Sequence, residues 1–141
     1  MLTREKILST IDITVKTLTV PSTIPVWAGE QVSIKQLTRG QQDAYLQRQF
    51  GTARMKQDRK ATQQEFTAMT IYGHDAWLCA QSICDADGAP LFTEKDVKAL
   101  EAKSGEFIGW LAKEILTFSN MAEDAETARS AGEKLADDIK N

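Results

Sequence analysis

Alternation of apolar and polar residues predicts two β-strands in the first quarter of the chain. Residues 13–17 alternate, and residues 18–20 alternate again one position out of phase. This slip predicts a strand with a bulge near Thr17 and Leu18. Residues 31–35 alternate without interruption, which predicts the second strand.

A long connector joins these two predicted strands. It contains two prolines and Gly29, residue types that favour turns over extended backbone. We therefore expect an antiparallel hairpin with a long loop. Trp27 lies within this loop, and because so large a side chain is rarely left in water, we expect it to fold back over the apolar face of the hairpin.

Apolar residues spaced three and four apart predict helices in most of the remaining chain. A short helix is expected over residues 3–10, ahead of the hairpin. Thr38 and Gln41 have the spacing of a capping box, which predicts that a helix begins there. From residue 63 to Ile83 the apolar positions cover nearly the full circumference, so this helix is expected to lie at the centre of the core.

A sharp turn is predicted between the central helix and the next one. Gly88 can adopt the positive φ of a helix stop, and Pro90 prevents the helix from resuming. The apolar pair Leu91 and Phe92 is expected to anchor both flanking helices in the core. Thr93 follows the pair and is expected to cap the next helix.

Ser104 predicts the N-cap of a last, strongly apolar helix. Its apolar residues cover a wider sector than one buried face requires, so part of the helix is expected to contact another protein. The alternative is that all of these residues belong to the core. The hypothetical protein-binding residues are Phe107, Trp110, Leu111, Ile115 and Leu116.

Length and composition predict one domain with a tail. A chain of 141 residues with 42% hydrophobic residues can form one core, over residues 1–122. Residues 123–141 are rich in alanine and acidic residues and are expected to be a loosely ordered or partner-dependent helical tail. The predicted fold class is α+β and mostly helical, with an N-terminal antiparallel β-hairpin packed on about four α-helices.

Charge is distributed unevenly along the chain. Residues 1–60 contain ten Lys and Arg against five Asp and Glu, whereas residues 61–141 contain seven against fifteen. This split is typical of solvated surface, or of copies that self-associate head to tail through complementary ends. The basic stretch 54–60 predicts a mobile connector or a solvated helix, with a patch for an acidic partner as the alternative.

No membrane or nucleic-acid partner is expected. No stretch approaches the ~20 apolar residues of a membrane helix, and the N-terminal residues lack the apolar segment of a signal peptide. The acidic total argues against nucleic-acid binding that is independent of sequence. We therefore expect a cytoplasmic protein.

No set of residues predicts catalysis, a metal site or a cofactor. His74 is the only histidine, and without a nucleophile it is expected to be a surface or core residue. Cys79 and Cys84 lie five apart on one predicted helix and point to different faces, which argues against a disulfide or a shared metal. An EF-hand loop beginning at Asp85 would require glycine where Pro90 stands. We expect a protein that is not an enzyme.

Two blocks of sequence resemble the tail assembly chaperones of tailed bacteriophages and prophages. The first is P-V-W-A-G at 25–29 with the strand that follows it, the Leu-Thr pair at 37–38 and Q-Q-D at 41–43. The second, more specific, is the block from Leu78 to Leu100, which contains C-D-A-D-G-A-P-L-F-T-E-K-D-V-K-A-L at 84–100. The blocks occur in the family's order, and the resemblance covers roughly residues 20–122. The motif residues are Pro25, Trp27, Gly29, Leu37, Thr38, Asp85, Asp87, Gly88, Pro90, Leu91, Phe92 and Asp96.

The resemblance implies a non-enzymatic factor of virion assembly. It implies that the chain binds the tape measure protein, keeps it soluble and helps recruit the major tail (tube) protein. It also implies action in the host bacterial cytoplasm and absence from the mature virion. The alternatives are a small structural head-tail or tail completion protein retained in the virion, and a regulatory nucleic-acid adaptor that uses the basic stretch 54–60.

Overall fold

The computed structural model describes residues 1–58 and 74–123, together with the single positions 126, 130 and 134. The described part is an α+β domain whose N-terminal hairpin packs on helices, as the sequence predicts. Most of the predicted acidic tail and the first half of the predicted central helix lie outside the described residues. The elements are α1 (Arg4–Ser9), β1 (Val15–Thr19), β2 (Gln31–Lys35), α2 (Arg39–Asp58), α3 (His74–Ser82), β3 (Ile83–Cys84), α4 (Val97–Glu101) and α5 (Gly105–Phe118).

The hairpin has no bulge within its paired strands, so the prediction of one is wrong. Strands β1 and β2 pair residue for residue, beginning with Val15 opposite Lys35. Leu18 belongs to the core formed with the helices, whereas Val15 lies on the opposite face of β1, against the turn at Gly88. The two apolar runs are out of phase because the helices cover one face of the strand and the Gly88 turn covers the other.

A two-residue strand, β3, extends the sheet to the order β1-β2-β3. The sequence pattern predicts a helix through Ile83, but α3 ends at Ser82 and Ile83 pairs with Ile34 of β2. The Ser82 hydroxyl donates to the carbonyl oxygen of Lys35 (2.7 Å), which fixes the end of the helix to the sheet. The two cysteines therefore lie on different elements, not on one helix.

Helix α3 lies at the centre of the core, as its apolar circumference predicts. Nearly all of its residues are buried, including His74, whose ring meets the Tyr45 ring edge-on. Tyr45 of α2 also stacks on Trp77, with ring centroids 6.4 Å apart. Helix α5 packs along α3 and supplies much of the remaining core.

The predicted helix starts are confirmed by their hydrogen bonds. The N–H of Gln41 donates to Thr38 Oγ1 (3.1 Å), and the N–H of Thr38 donates to Gln41 Oε1 (2.9 Å), which completes the capping box of α2. Thr93 caps a single 3-10 turn, Glu94–Asp96, that leads into α4. Ser104 caps α5. Local side-chain chemistry thus sets where these helices begin.

Helix α5 ends in a Schellman motif. Asn120 has a positive φ of 57°, and the N–H of Met121 donates to the carbonyl oxygen of Leu116 (2.8 Å). Met121 is buried beneath this turn. The N–H of Leu37 donates to the hydroxyl of Ser119 (3.0 Å), so the end of α5 is held against the start of α2.

The turn after β3 is organised by Asp85. Its Oδ1 accepts hydrogen bonds from the N–H groups of Asp87 (2.8 Å) and Ala89 (3.0 Å). Gly88 has a φ of +88°, the positive value that the sequence predicts. The turn is therefore a structural element that covers the outer face of β1.

The Leu-Phe pair after this turn is divided between core and surface. Phe92 packs against the core, as predicted. Leu91 is 57% exposed, so the prediction that it anchors the helices is wrong. The N–H of Leu91 donates to the carbonyl oxygen of Ile83 (3.2 Å) in an extended segment, where successive side chains point to opposite sides.

Replacing Gly88 by alanine should lower the free energy of unfolding by about 1–2 kcal/mol, because an L-residue is strained at this φ. The added Cβ would also lie 3.3 Å from Cγ2 of Val15. Urea denaturation measures the change. Gly109→Ala is the matched control: it adds a Cβ in open space within α5 and should stabilise by about 1 kcal/mol. Equal effects of the two substitutions would contradict this account of the turn.

Candidate functional site

The first candidate surface lies where the hairpin loop meets α5. Trp27 stacks on Phe107 of α5, with ring centroids 5.6 Å apart and the planes at 25°. Trp27 remains 43% exposed, and its neighbour Val26 is 82% exposed. The prediction that Trp27 folds back over the apolar face of the hairpin is therefore wrong, because the ring packs on an aromatic residue of the last helix instead.

The five residues proposed from sequence on α5 do not share one environment. Leu111, Ile115 and Leu116 are buried in the core and are inaccessible to a partner in this conformation. Phe107 and Trp110 are half-buried on one flank of the helix. We define the aromatic patch as Val26, Trp27, Phe107 and Trp110.

The hairpin loop, which carries Val26 and Trp27 of the patch, is held by backbone hydrogen bonds of its own. The N–H of Val20 donates to the Glu30 carbonyl (2.9 Å), and the N–H of Gly29 donates to the Val20 carbonyl (3.0 Å), which closes the loop at its base. Inside it, the N–H of Trp27 donates to the carbonyl of Ile24 (3.2 Å). Ile24 is buried, so the loop also has an apolar anchor that the sequence analysis did not identify.

The far end of α5 presents a different surface. The Lys16 ammonium lies over the ring of Phe118, 5.7 Å from its centroid. Beside it is a surface cleft of about 310 Å³. The cleft is lined by Gln36, Leu37, Arg39, Gln42, Ser119 and Asn120. Its mostly polar lining does not suit the apolar face of another helix.

A second candidate surface is the N-terminal helix. Helix α1 has no buried residue, and Ile7 and Leu8 are 58% and 67% exposed. The sequence predicts this helix but gives no reason to expect that it stays uncovered. Ile7 and Leu8 precede Ile11 by four and three residues, and this spacing of apolar residues is the signal that could have marked the surface.

Several motif residues of the two sequence blocks determine backbone turns and helix caps. Gly29 and Gly88 both have positive φ, at 83° and 88°. Leu37 is buried, Thr38 caps α2, and Asp96 accepts a hydrogen bond from the Thr93 N–H (2.8 Å). These residues form turns, caps and core, whereas two other motif residues, Trp27 and Leu91, are exposed apolar side chains.

The described residues contain neither a group of metal ligands nor a reactive thiol at Cys79. Within residues 1–58 and 74–123, no group of three or more His, Cys, Asp or Glu could hold a metal ion. Burial, with a smaller effect of Asp75, raises the pKa of the Cys79 thiol to about 12, so this thiol is not a nucleophile at neutral pH. Within the same ranges, no helix has the length and apolar character needed to cross a membrane.

Comparison with known proteins decides the family. A family model described as phage tail assembly chaperone matches residues 8–128. The chain belongs to this family. Neither a curated protein nor a solved structure matches the chain. The match spans both sequence blocks and begins inside α1, so most of α1 precedes it. Within the described residues, large apolar side chains are exposed in the aromatic patch, on α1 and at Leu91.

Proposed function

We propose that this tail assembly chaperone binds the tape measure protein through the aromatic patch. Binding keeps the tape measure protein soluble and helps recruit the major tail tube protein to it. The observation that carries the proposal is the stacked pair of Trp27 and Phe107, which holds a large aromatic ring partly in solvent. Family membership supports a partner among the phage tail proteins.

The composition of the patch suits the apolar face of a long helix. An aromatic side chain can bury about 150–250 Å² at a small loss of side-chain entropy, since it has only two rotatable bonds. Trp27 and Trp110 therefore offer a large contact area without charged groups that would have to be desolvated. Recognition of a helix by an apolar surface of this kind is a recurring binding mode.

The core beneath the patch gives it a fixed shape. Leu111, Ile115 and Leu116 hold α5 against α3, and the half-buried aromatic residues on its flank are positioned by that packing. The three buried residues thus contribute to the proposed function by supporting the surface, whereas Phe107 and Trp110 contact the partner. Recruitment of the tail tube protein would use a surface other than the patch.

The proposal includes where the protein acts. A chaperone that leaves its client before the tail is complete works in the host bacterial cytoplasm and is absent from the mature virion. It performs no chemical step, because covering apolar surface is sufficient to prevent aggregation. The chain could act in a phage or in a prophage.

The test is co-expression with the tape measure protein of the same phage or prophage. The double substitution Val26→Glu, Trp27→Glu should lower the soluble fraction of the tape measure protein about tenfold or more, because two charges would then face its apolar surface. Thermal unfolding should show that the free energy of unfolding falls by about 2–3 kcal/mol, because Trp27 is more than half buried and also stacks on Phe107. The matched control is Ile11→Glu, which alters an apolar side chain that is 90% exposed elsewhere.

Three outcomes would contradict the proposal. A tape measure protein that stays insoluble with the wild-type chain would exclude the chaperone function toward this client. Equal solubility with the double variant and the wild type would exclude the aromatic patch. Stoichiometric presence of the chain in purified virions, measured by mass spectrometry, would favour the small structural head-tail or tail completion protein instead.

A further inference from the structure

Helix α5 lies along the hairpin and contacts it at both ends. In its first turn, Phe107 stacks on Trp27 of the hairpin loop. Its last turn, with Phe118 and Ser119, contacts the opposite, open end of the hairpin. Phe107 and Ser119 are twelve residues apart, about 18 Å along a helix, and a five-residue strand spans about 17 Å. One helix as long as the strands therefore connects the two ends of the hairpin.

Contacts from both strands hold the last turn of α5 against the open end of the hairpin. The N–H of Leu37 donates to Ser119 Oγ (3.0 Å). The side-chain amide of Gln36 donates to the carbonyl oxygen of Phe118 (3.3 Å), and the ammonium of Lys16 lies over the Phe118 ring. The first of these is the most costly to lose, because Ser119 and Leu37 are only 7% and 3% exposed and a buried N–H without a partner is strongly unfavourable.

The hydroxyl of Ser119 is not needed for the end of the helix itself. Backbone groups form the Schellman turn, in which the N–H of Met121 donates to the carbonyl oxygen of Leu116 (2.8 Å). The N–H of Ser119 donates to the carbonyl oxygen of Ile115 (3.0 Å). Alanine at position 119 would keep both bonds, so the hydroxyl joins α5 to the hairpin and not to its own last turn.

Loss of this hydroxyl would displace the end of α5. Leu37 and Ser119 both line the polar cleft of about 310 Å³. Water from this cleft would reach the Leu37 N–H once the last turn of α5 moved away, and this would replace the lost hydrogen bond. Because α5 is one helix held in the core at Leu111, a shift at its last turn changes the position of Phe107 in its first turn.

We propose that Ser119 is a positioning residue for the aromatic patch. Its hydrogen bond with the Leu37 N–H sets the place of α5 along the hairpin and thereby keeps Phe107 against Trp27. The consequence for the tape measure protein rests on the proposed function, since Ser119 acts through the patch. The placement of Phe107 does not rest on it, because this placement is a property of the chain alone.

Fluorine NMR of the purified chain, labelled with fluorotryptophan, measures the placement. The chain has three tryptophans, and replacing each by phenylalanine assigns its resonance. Phe107→Ala gives the position of the Trp27 resonance in the absence of the stack.

Ser119→Ala should move the Trp27 resonance at least halfway to its position in Phe107→Ala. Ser119→Thr keeps the hydroxyl, and the cleft leaves room for the added methyl group, so this variant should restore the wild-type resonance. Gln36→Ala removes the longer hydrogen bond at the same helix end and should move the resonance in the same direction by less.

Ser82→Ala is the matched control. Ser82 also joins the end of a helix to this end of the hairpin, with its hydroxyl donating to the carbonyl oxygen of Lys35 (2.7 Å). That helix, α3, remains tied to the sheet through the pairing of Ile83 with Ile34, so α5 should stay in place. Both serine variants should lose stability, whereas only Ser119→Ala should move the resonance of the stacked tryptophan.

An unchanged Trp27 resonance in Ser119→Ala would overturn the positioning role. Equal shifts in Ser119→Ala and Ser82→Ala would overturn it as well, and so would a shift that Ser119→Thr does not reverse. Each of these results would leave the aromatic patch untouched as the proposed binding surface.

Co-expression with the tape measure protein separates the positioning role from the proposed function. Ser119→Ala should lower the soluble fraction of the tape measure protein about threefold to tenfold, the factor to which the loss of one aromatic stack corresponds. Ser82→Ala should leave the soluble fraction unchanged. A shifted Trp27 resonance with undiminished solubility would support the positioning role and count against the patch as the binding surface.

Discussion

Replacing Leu111 by alanine should lower the free energy of unfolding by about 3–5 kcal/mol. Leu111 is fully buried where α5 packs on α3, so the substitution removes apolar contacts and leaves a cavity that rigid neighbours cannot fill. This loss is a large part of the about 5–15 kcal/mol by which a domain of this kind is stable. Urea denaturation of the purified chain measures it, with the slope of the transition showing whether unfolding remains two-state.

The neighbouring residue is the matched control. Trp110 is half-buried on the flank of α5, and Trp110→Ala should lower the free energy of unfolding by only about 2 kcal/mol. Because Trp110 belongs to the aromatic patch, the same substitution should reduce the solubility of the co-expressed tape measure protein. A larger stability loss for Trp110→Ala than for Leu111→Ala would contradict the division of α5 into a core face and a binding flank.

The stability of the chain should fall steeply above pH 9, in part through Cys79. Burial, followed by the charge of Asp75, raises the pKa of this thiol from 9.0 to about 12 in the folded chain. Between these two values the unfolded chain releases the proton while the folded chain keeps it, so rising pH favours unfolding. The contribution is about 1.4 kcal/mol per pH unit, or roughly 3 kcal/mol by pH 11.

Cys79→Ala isolates this effect from the titration of tyrosines and lysines. The variant lacks the thiol, so its free energy of unfolding should fall less between pH 8 and pH 11 than that of the wild type. The difference in free energy of unfolding between wild type and variant should therefore be about 3 kcal/mol smaller at pH 11 than at pH 8. Parallel curves would show that the thiol ionises as easily in the folded chain as in the unfolded one.

Features set by neighbouring residues were predictable from the sequence. The capping box of Thr38, the caps at Thr93 and Ser104, and the positive φ of Gly88 each depend on residues within a few positions of one another. The hairpin was predictable for the same reason, since both strands alternate and a turn-rich segment joins them. Such features follow from local chemistry, whatever the rest of the chain does.

Features set by residues distant in the sequence were not predictable. Strand β3 has two residues, too few for any periodicity, and it exists because Ile34 is there to pair with Ile83. The stacking of Trp27 on Phe107 joins positions that no local pattern relates. An out-of-phase pattern like that of β1 can mean a bulge or two covered faces, and only the position of the Gly88 turn distinguishes them.

The candidate site shows the same division. The sequence predicts that apolar residues cover a wide sector of α5. The pattern within one helix does not predict which part of that sector packs against other helices. Packing on α3 assigns Leu111 to the core and leaves Trp110 on the flank. The sequence did not predict that Val26 belongs to the aromatic patch, because the exposure of this residue depends on how the hairpin loop is folded.

The closed base of the hairpin loop has a consequence for the kinetics of recognition. Hydrogen bonds between Val20, Gly29 and Glu30 keep Trp27 in one place before any partner arrives. Because the loop is already ordered, binding costs little further loop entropy, and complex formation resembles the docking of two rigid bodies. The association rate constant is then the ordinary one for such partners. A substitution at Gly29, whose φ of 83° suits glycine, would strain the base of the loop and slow capture, although Gly29 is not itself part of the aromatic patch.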